Sequence, residues 1–137
     1  MGELSYRVGG ALDVAAIAGL YEASTLAERR PYADRVRLAT VLAASNLVVT
    51  AWDGARPVGI ARCMSDLEHV TYVADLAVDA AYQRQGIGRE LLAHVRAAAP
   101  RTRLVLLAAP GARDYYRRIG FDHHDAAWTL SEEGRLT

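Results

Sequence analysis

Gln83, Gly86 and Gly88 stand in the order Q-x-x-G-x-G, between a β-rich run and an amphipathic repeat. The run, Thr71 to Val78, holds the β-branched and aromatic residues that favour an extended segment. The repeat places Ile87, Leu91, Val95 and Ala98 at helical spacing, with Leu92 and Ala99 beside them. Strand, glycine turn and helix therefore follow one another, and the glycines let a ligand approach backbone amides that point outward from the helix start. That is a seat for an anion. It is not a Walker loop, because the sequence contains no lysine. A dinucleotide fingerprint also fails: the third glycine position is Leu91, and the next strand ends in Ala109–Pro110 without an acidic residue for a ribose.

With L-A-V before it, as Leu76, Ala77 and Val78, the block resembles the pyrophosphate loop of the GNAT family of N-acetyltransferases. That loop carries Q or R, then x-x-G-x and G or A, between the fourth strand and third helix. A second segment, A-R-D-Y-Y-R-R-I-G-F from Ala112 to Phe121, resembles the family's F-Y-x-x-x-G-F, with Tyr116 at the tyrosine. The two motifs come in the family's order with one strand between them, a context that supports both. The resemblance covers about Val49 to Phe121 and fades over the first 45 residues.

The resemblance implies an α/β fold: a mixed, mostly antiparallel sheet of six to seven strands, a V-shaped splay between strands 4 and 5, and four flanking helices. It implies acetyl transfer from acetyl-CoA to a primary amine of a small molecule or peptide, by direct attack in a ternary complex. The pantetheine arm would bond to the strand backbone of Leu76, Ala77 and Val78, with an amide near Val78 polarising the thioester carbonyl. Gln83, Arg84, Gln85, Gly86, Ile87, Gly88 and Arg89 would hold the pyrophosphate, and Ala112 and Tyr115 would also contact the coenzyme. Tyr116 is the candidate acid for the departing thiolate, since a phenol of pKa ~10 keeps its proton at neutral pH; Tyr115 is the competing assignment. For the base, family usage points just ahead of the L-A-V segment, to Tyr72 and Glu68. Four apart on a regular strand, these two share a face, and Glu68 would act through water or else be a solvated turn acid. The family's Asn after the fifth strand is replaced by Ala109–Pro110–Gly111. A module that binds acyl-CoA without turnover is the alternative. Homodimers are common in the family.

The elements that must position these residues read as β-α-α-β-β-β-α-β-α-β in one domain spanning 1–137. Leu4 to Val8 form a strand, and Asp13 caps a helix bearing Val14, Ile17, Ala18 and Tyr21. A second helix, from Tyr32 or Asp34 to about Ala44, carries Val36, Ala39, Val41 and Leu42. Thr25, Glu28, Arg29, Arg30 and Tyr32, between these helices, are placed at the rim of the acceptor site. Leu47 to Trp52 and Val58 to Met64 form a hairpin about Asp53–Gly54. Leu104 to Ala108 read as a strand covered on both faces, a helix runs from Pro110–Gly111 to about Ile119, and Phe121 to Leu130 return as one or two strands.

Sixteen arginines balance sixteen acidic residues over 137 positions, which argues against nucleic acid as a partner. The absence of lysine removes Schiff-base chemistry. Cys63, the single cysteine, is expected to be buried and inert. His123 and His124 are adjacent and His69 and His94 lack ligand spacing, so no metal is expected. No apolar run approaches 18 residues, so a cytoplasmic protein without membrane contact is expected. Asp75 interrupts an apolar strand, and a buried carboxylate needs partners: it either bonds to backbone at a bulge or lines the substrate pocket.

Overall fold

The computed structural model describes residues 3–137, in two compact units: one running to Leu107, the other from Ala108 to Thr137. The first unit holds β1 (Leu4–Val8), α1 (Val14–Ala23), α2 (Arg35–Ala44), β2 (Leu47–Asp53), β3 (Arg56–Ser65), β4 (Val70–Val78), α3 (Ile87–Ala98) and β5 (Arg103–Val105). Its five strands lie in sequence order; β1 to β4 pair antiparallel, and β5 joins β4 in parallel.

Local chemistry accounts for the helix starts. The Asp13 carboxylate accepts from the Ala16 amide at 3.1 Å and the Asp34 carboxylate from the Arg37 amide at 3.1 Å, each satisfying a donor that the first turn leaves over. Helix α1 buries Ile17, Ala18, Leu20 and Tyr21. The buried side chain of α2 is Leu38, and Val36, expected on its apolar face, is 78% exposed. Together α1, α2 and the 3-10 turn Leu26–Arg29 between them cover one face of the sheet, against Val48, Ile60 and Ala77.

Helix α3 covers the other face with Ile87, Leu91, Leu92 and Val95. It lies close because Gly59 of β3 lacks a side chain: a Cβ there would meet Ile87 at 3.0 Å and Leu91 at 3.1 Å. The helix end is tied back by Arg96, which donates to the Thr102 carbonyl at 2.6 Å. Cys63 lies fully buried on β3, and burial pushes its thiol up to about 12.

Two expectations about strands fail. β5 has three residues rather than five and is half-buried to exposed, because it is an edge strand meeting β4 over three rungs only. In the second unit, α4 (Arg113–Arg118) ends at Ile119 and Gly120, but Phe121 to Leu130 form no strand. The polar run Asp122–Asp125 offers no alternating apolar face, and none of the described residues pairs with it as a ladder. Among the described residues the sheet therefore has five strands, not six or seven. Within this unit Tyr116 packs edge-on against Tyr115 at 5.2 Å and Phe121 at 5.6 Å, and the Phe121 amide donates to the Tyr116 carbonyl at 2.9 Å. Among the described residues no helix is long and apolar enough to cross a membrane.

With its thiol protonated and covered, Cys63 is expected to resist a thiol reagent such as DTNB at pH 8 in the native protein and to react at once in denaturant, as followed by absorbance.

Candidate active site

The turn that leads into the glycine loop is built by ion pairs and hydrogen bonds. Asp79, 4% exposed, accepts from Arg56 at 2.7 Å and from the Ala81 amide at 2.9 Å, and its own amide donates to the Val58 carbonyl. The Tyr82 hydroxyl donates to Asp53 at 2.6 Å, while Arg56 lies over its ring. The β2–β3 hairpin therefore fixes the short helical turn Ala80–Tyr82 on which the loop stands.

Beyond it, Arg84 and Gly86 both take left-handed backbone, at φ 64° and 80°. Gly86 is the N-cap of α3 and brings no capping side chain, so the amides of Ile87, Gly88 and Arg89 have no acceptor within the helix. They face outward with the positive end of the helix dipole behind them. Arg84, Gln85 and Arg89 are exposed around this point. Gln83 turns back instead, donating to the Val78 carbonyl at 3.1 Å, and so fastens the loop to the end of β4.

That end of β4 pairs with a described strand on one side only. Pairing with β5 covers Val70, Thr71 and Tyr72 and stops, so from Val73 to Val78 no described strand lies opposite β3's side of β4. Leu76 and Val78 are half-buried and Ala77 is buried, so their side chains pack.

Between these two stretches β4 carries an extra residue. Arg62 opposes Asp75 and Cys63 opposes Val73, which leaves Ala74 as a bulge. Directly opposed residues share a face, so Tyr72, opposite Met64, and Asp75, opposite Arg62, both lie on the side that α1 and α2 cover, although they are three apart. Glu68 does not join them. It precedes the strand, and its carboxylate pairs with Arg101 at 3.1 Å, both side chains well exposed.

Asp75 is the centre of a network that the sequence reading located without its partners. Its carboxylate accepts from Arg62 Nε at 2.7 Å, Arg30 Nε at 2.7 Å, the Tyr32 hydroxyl at 2.6 Å and the Tyr21 hydroxyl at 2.9 Å. Arg30 also donates to the carbonyl of the bulged Ala74 at 3.2 Å. Tyr32 and Arg30, expected at the rim of the acceptor site, direct their polar groups to Asp75. Tyr21 and Arg62 were missed; the signal for Arg62 was a lone cation amid the apolar residues of the neighbouring strand.

Burial alone would raise the Asp75 carboxyl, but the hydrogen bonds from Tyr32 and Arg62, the Arg62 charge and Arg30 outweigh it and hold the group below the usual carboxylate range. Burial and the hydrogen bond to Asp75 push the Tyr32 phenol up to about 12, and burial followed by the Asp75 charge raises Tyr21 as well. Both phenols therefore stay protonated donors. Two guanidiniums face one carboxylate, so the cluster carries a surplus positive charge beside the bulge.

A folded-state pKa below the unfolded one stabilises the protein above the unfolded value, near ~3.9, and that contribution is lost as pH falls through the folded pKa. Urea midpoints measured from neutral pH downward are expected to fall over that acid range in wild type. Asp75→Asn, which leaves the buried Arg62 and the half-buried Arg30 uncompensated, is expected to cost about 3–5 kcal/mol at pH 7 and to flatten the acid dependence.

In the second unit Ala112 is the N-cap residue of α4, and its carbonyl accepts from the Tyr116 amide at 3.3 Å, so Ala112, Tyr115 and Tyr116 are held in one short helix. Among the described residues no cluster of metal-ligating side chains is assembled.

The family profile described as an acetyltransferase (GNAT) domain matches residues 20–129. Among curated proteins none matches. A GNAT-family acetyltransferase from Streptococcus pneumoniae is 23% identical, with 95% of this chain and 100% of that chain covered at a TM-score of 0.71. A predicted acetyltransferase from Clostridium acetobutylicum, solved with acetyl-CoA, is 16% identical over 94% of this chain and 96% of its own, at 0.71. The aminoglycoside N-acetyltransferase AAC(6')-Iy, solved with CoA, is 14% identical over 96% and 95%, at 0.74. These structures share the fold, and the profile spans well over half of the sequence: the chain belongs to the GNAT acetyltransferase family.

Proposed function

We propose that this protein transfers the acetyl group of acetyl-CoA to a primary amine by direct attack in a ternary complex. The observation that carries this reading is a juxtaposition: outward-facing amides of Ile87, Gly88 and Arg89 at the start of α3, next to a β4 edge that no described strand joins from Val73 to Val78. A diphosphate suits the first, and an extended chain of amides suits the second, as an added strand would.

In this reading Gln83 holds the loop to the strand, and backbone amides from Arg84 to Arg89 receive the pyrophosphate. Leu76, Ala77 and Val78 offer main-chain groups to the pantetheine arm, and an amide there polarises the thioester carbonyl. The acceptor nitrogen bonds to that carbon, the carbon–sulfur bond breaks, and Tyr116 gives its proton to the thiolate; Tyr115 and Ala112 complete the coenzyme contact. Tyr72 stands on β4 where the amine would arrive, and Glu68, in the turn before it, would reach the amine only through water.

Binding without turnover is the second reading. It draws on one feature: the single carboxylate on β4, Asp75, is committed to two arginines and two tyrosines and cannot serve as a base.

Calorimetric titration with acetyl-CoA is expected to show micromolar binding by wild type and its loss in Gly86→Glu, which sets a negative charge at the amides. Gly86 takes positive φ, so circular dichroism must first show that the variant is folded. Absence of binding by folded wild type would overturn the proposal. Tyr116→Phe is expected to lower kcat about 10²-fold or more with coenzyme affinity within a few fold, the size of a lost general acid. Unchanged kcat across the pH range would remove Tyr116 from the mechanism, and turnover with no amine in a panel would favour the binding module.

A further inference from the structure

The face of the sheet that α1 and α2 cover is not covered to its end. Past the Arg62–Asp75 rung the next pair is Met64–Tyr72, with Val105 of β5 opposite Tyr72, and all three are exposed to more than a third. Met64 and Tyr72 border an open cavity of about 450 Å³, walled also by Val70 and Ala44. Two of its polar residues are spent on each other: Asn46 donates to the Ser65 carbonyl at 2.6 Å and accepts from the Ser65 amide at 2.8 Å.

Besides the Tyr72 hydroxyl, the remaining polar group is Asp66, which carries the charge. Its Oδ1 accepts from the amides of Glu68, His69 and Val70 at 3.0, 2.7 and 3.0 Å, which hold the carboxyl below its ordinary range. Oδ2 accepts no hydrogen bond among the described residues, and Asp66 is part of the cavity lining, so a fixed anion stands at the cavity wall. Next to the Met64 wall, beyond the lining of the cavity itself, the sign reverses. The surplus positive charge of Arg30 and Arg62 over Asp75 lies beside the bulged Ala74, and Arg62 reaches the Met64 sulfur at 3.8 Å. Between Asp66, whose amide pairs with the Val70 carbonyl, and Ala74 the strand rises roughly 13 Å.

An apolar trough with an anion at one end and a cation beyond the other sorts the two ends of a molecule. We infer that this cavity seats an acceptor carrying two nitrogens, a cationic one at Asp66 and a primary amine at the bulge, joined by an apolar spacer. The spacer lies along Met64, Val70 and Tyr72. The positive cluster disfavours a second ammonium at the bulge and so favours the uncharged, nucleophilic form of the amine that reacts. No carboxylate side chain is required beside the thioester for this. The inference rests on the acetyl-transfer reading and names the substrate class of that site.

Turnover with 1,8-diaminooctane, octylamine and 8-aminooctanoate compares one chain length with a positive, an absent and a negative far end. The expected order of kcat/KM is diamine, octylamine, amino acid, with the diamine roughly fivefold above octylamine, the size of one exposed ion pair. Asp66→Asn keeps an oxygen for the three turn amides and removes the charge. It is expected to bring the diamine down to octylamine with acetyl-CoA binding unchanged, and Met64→Lys, which sets a cation against the trough, is expected to do the same. Equal rates for the three amines, or preference for 8-aminooctanoate, in protein that binds acetyl-CoA overturns the two-nitrogen acceptor and leaves acetyl transfer standing. Protein that binds no acetyl-CoA overturns the transfer reading instead. Direct calorimetric titration with the diamine then decides the cavity: heat lost in Asp66→Asn supports the seat, and no heat from wild type overturns it.

Discussion

A carboxylate removed from water must find its full set of donors inside the protein, and the arrangement of the first unit follows from how Asp75 does so. Fully buried on β4, it draws Tyr21 from α1, Arg30 and Tyr32 from the segment before α2, and Arg62 from β3. Apolar packing among Ile17, Leu38, Ile60 and Ala77 holds the same elements together without fixing their angle, since such contacts are not directional. The four hydrogen bonds are directional. They orient the helical layer over the half of β4 where the proposed chemistry takes place.

The same contacts leave the site's two faces with different characters. Toward α3, the strand meets aliphatic side chains and ends at a helix start rich in unpaired amides, which favours phosphate. Toward α1 and α2 it carries charge, phenols and, further along, the uncovered apolar row of Met64, Tyr72 and Val105. In the proposed reaction, coenzyme and acceptor would thus call on opposite properties of one strand.

Where each feature was legible in the sequence depends on how local its cause is. The caps Asp13 and Asp34, the Asp53–Gly54 turn and the glycine loop are written within four or five residues, and the structure places the corresponding elements within a residue or two of the expected bounds. Asp75 was recognisable as a buried carboxylate, but its partners lie 13 to 54 residues away, and no local pattern joins Tyr21 to Arg62. Glu68 and Tyr72 were placed on one face by counting along a regular strand, which the strand's start at Val70 does not allow. The apolar run Leu104 to Ala108 looked doubly covered because its composition resembles that of a central strand; its place at the edge is a property of the sheet, not of the run. For the assignments of Tyr115, Tyr116 and Ala112, the motif supplies the order of residues, and their roles rest with the proposal.

The bulge at Ala74 gives β4 two phases. In a regular strand, odd and even positions answer to opposite faces from end to end, so a single environment governs each set. Here the odd positions 71 and 73 face α3, whereas 75 and 77 face α1 and α2, and the exchange occurs within one residue. The strand is therefore two short alphabets joined at Ala74: a change of residue type on one side of the joint is constrained by different neighbours from a change of the same parity on the other. Straightening the bulge with every residue kept would turn Tyr72 and Val70 to the opposite layer while Asp75 stayed in place, whereas loss of Ala74 would merge the two alphabets and leave both residues on the layer they face now. Which layer Tyr72 faces is thus set by the bulge and not by its parity with Asp75.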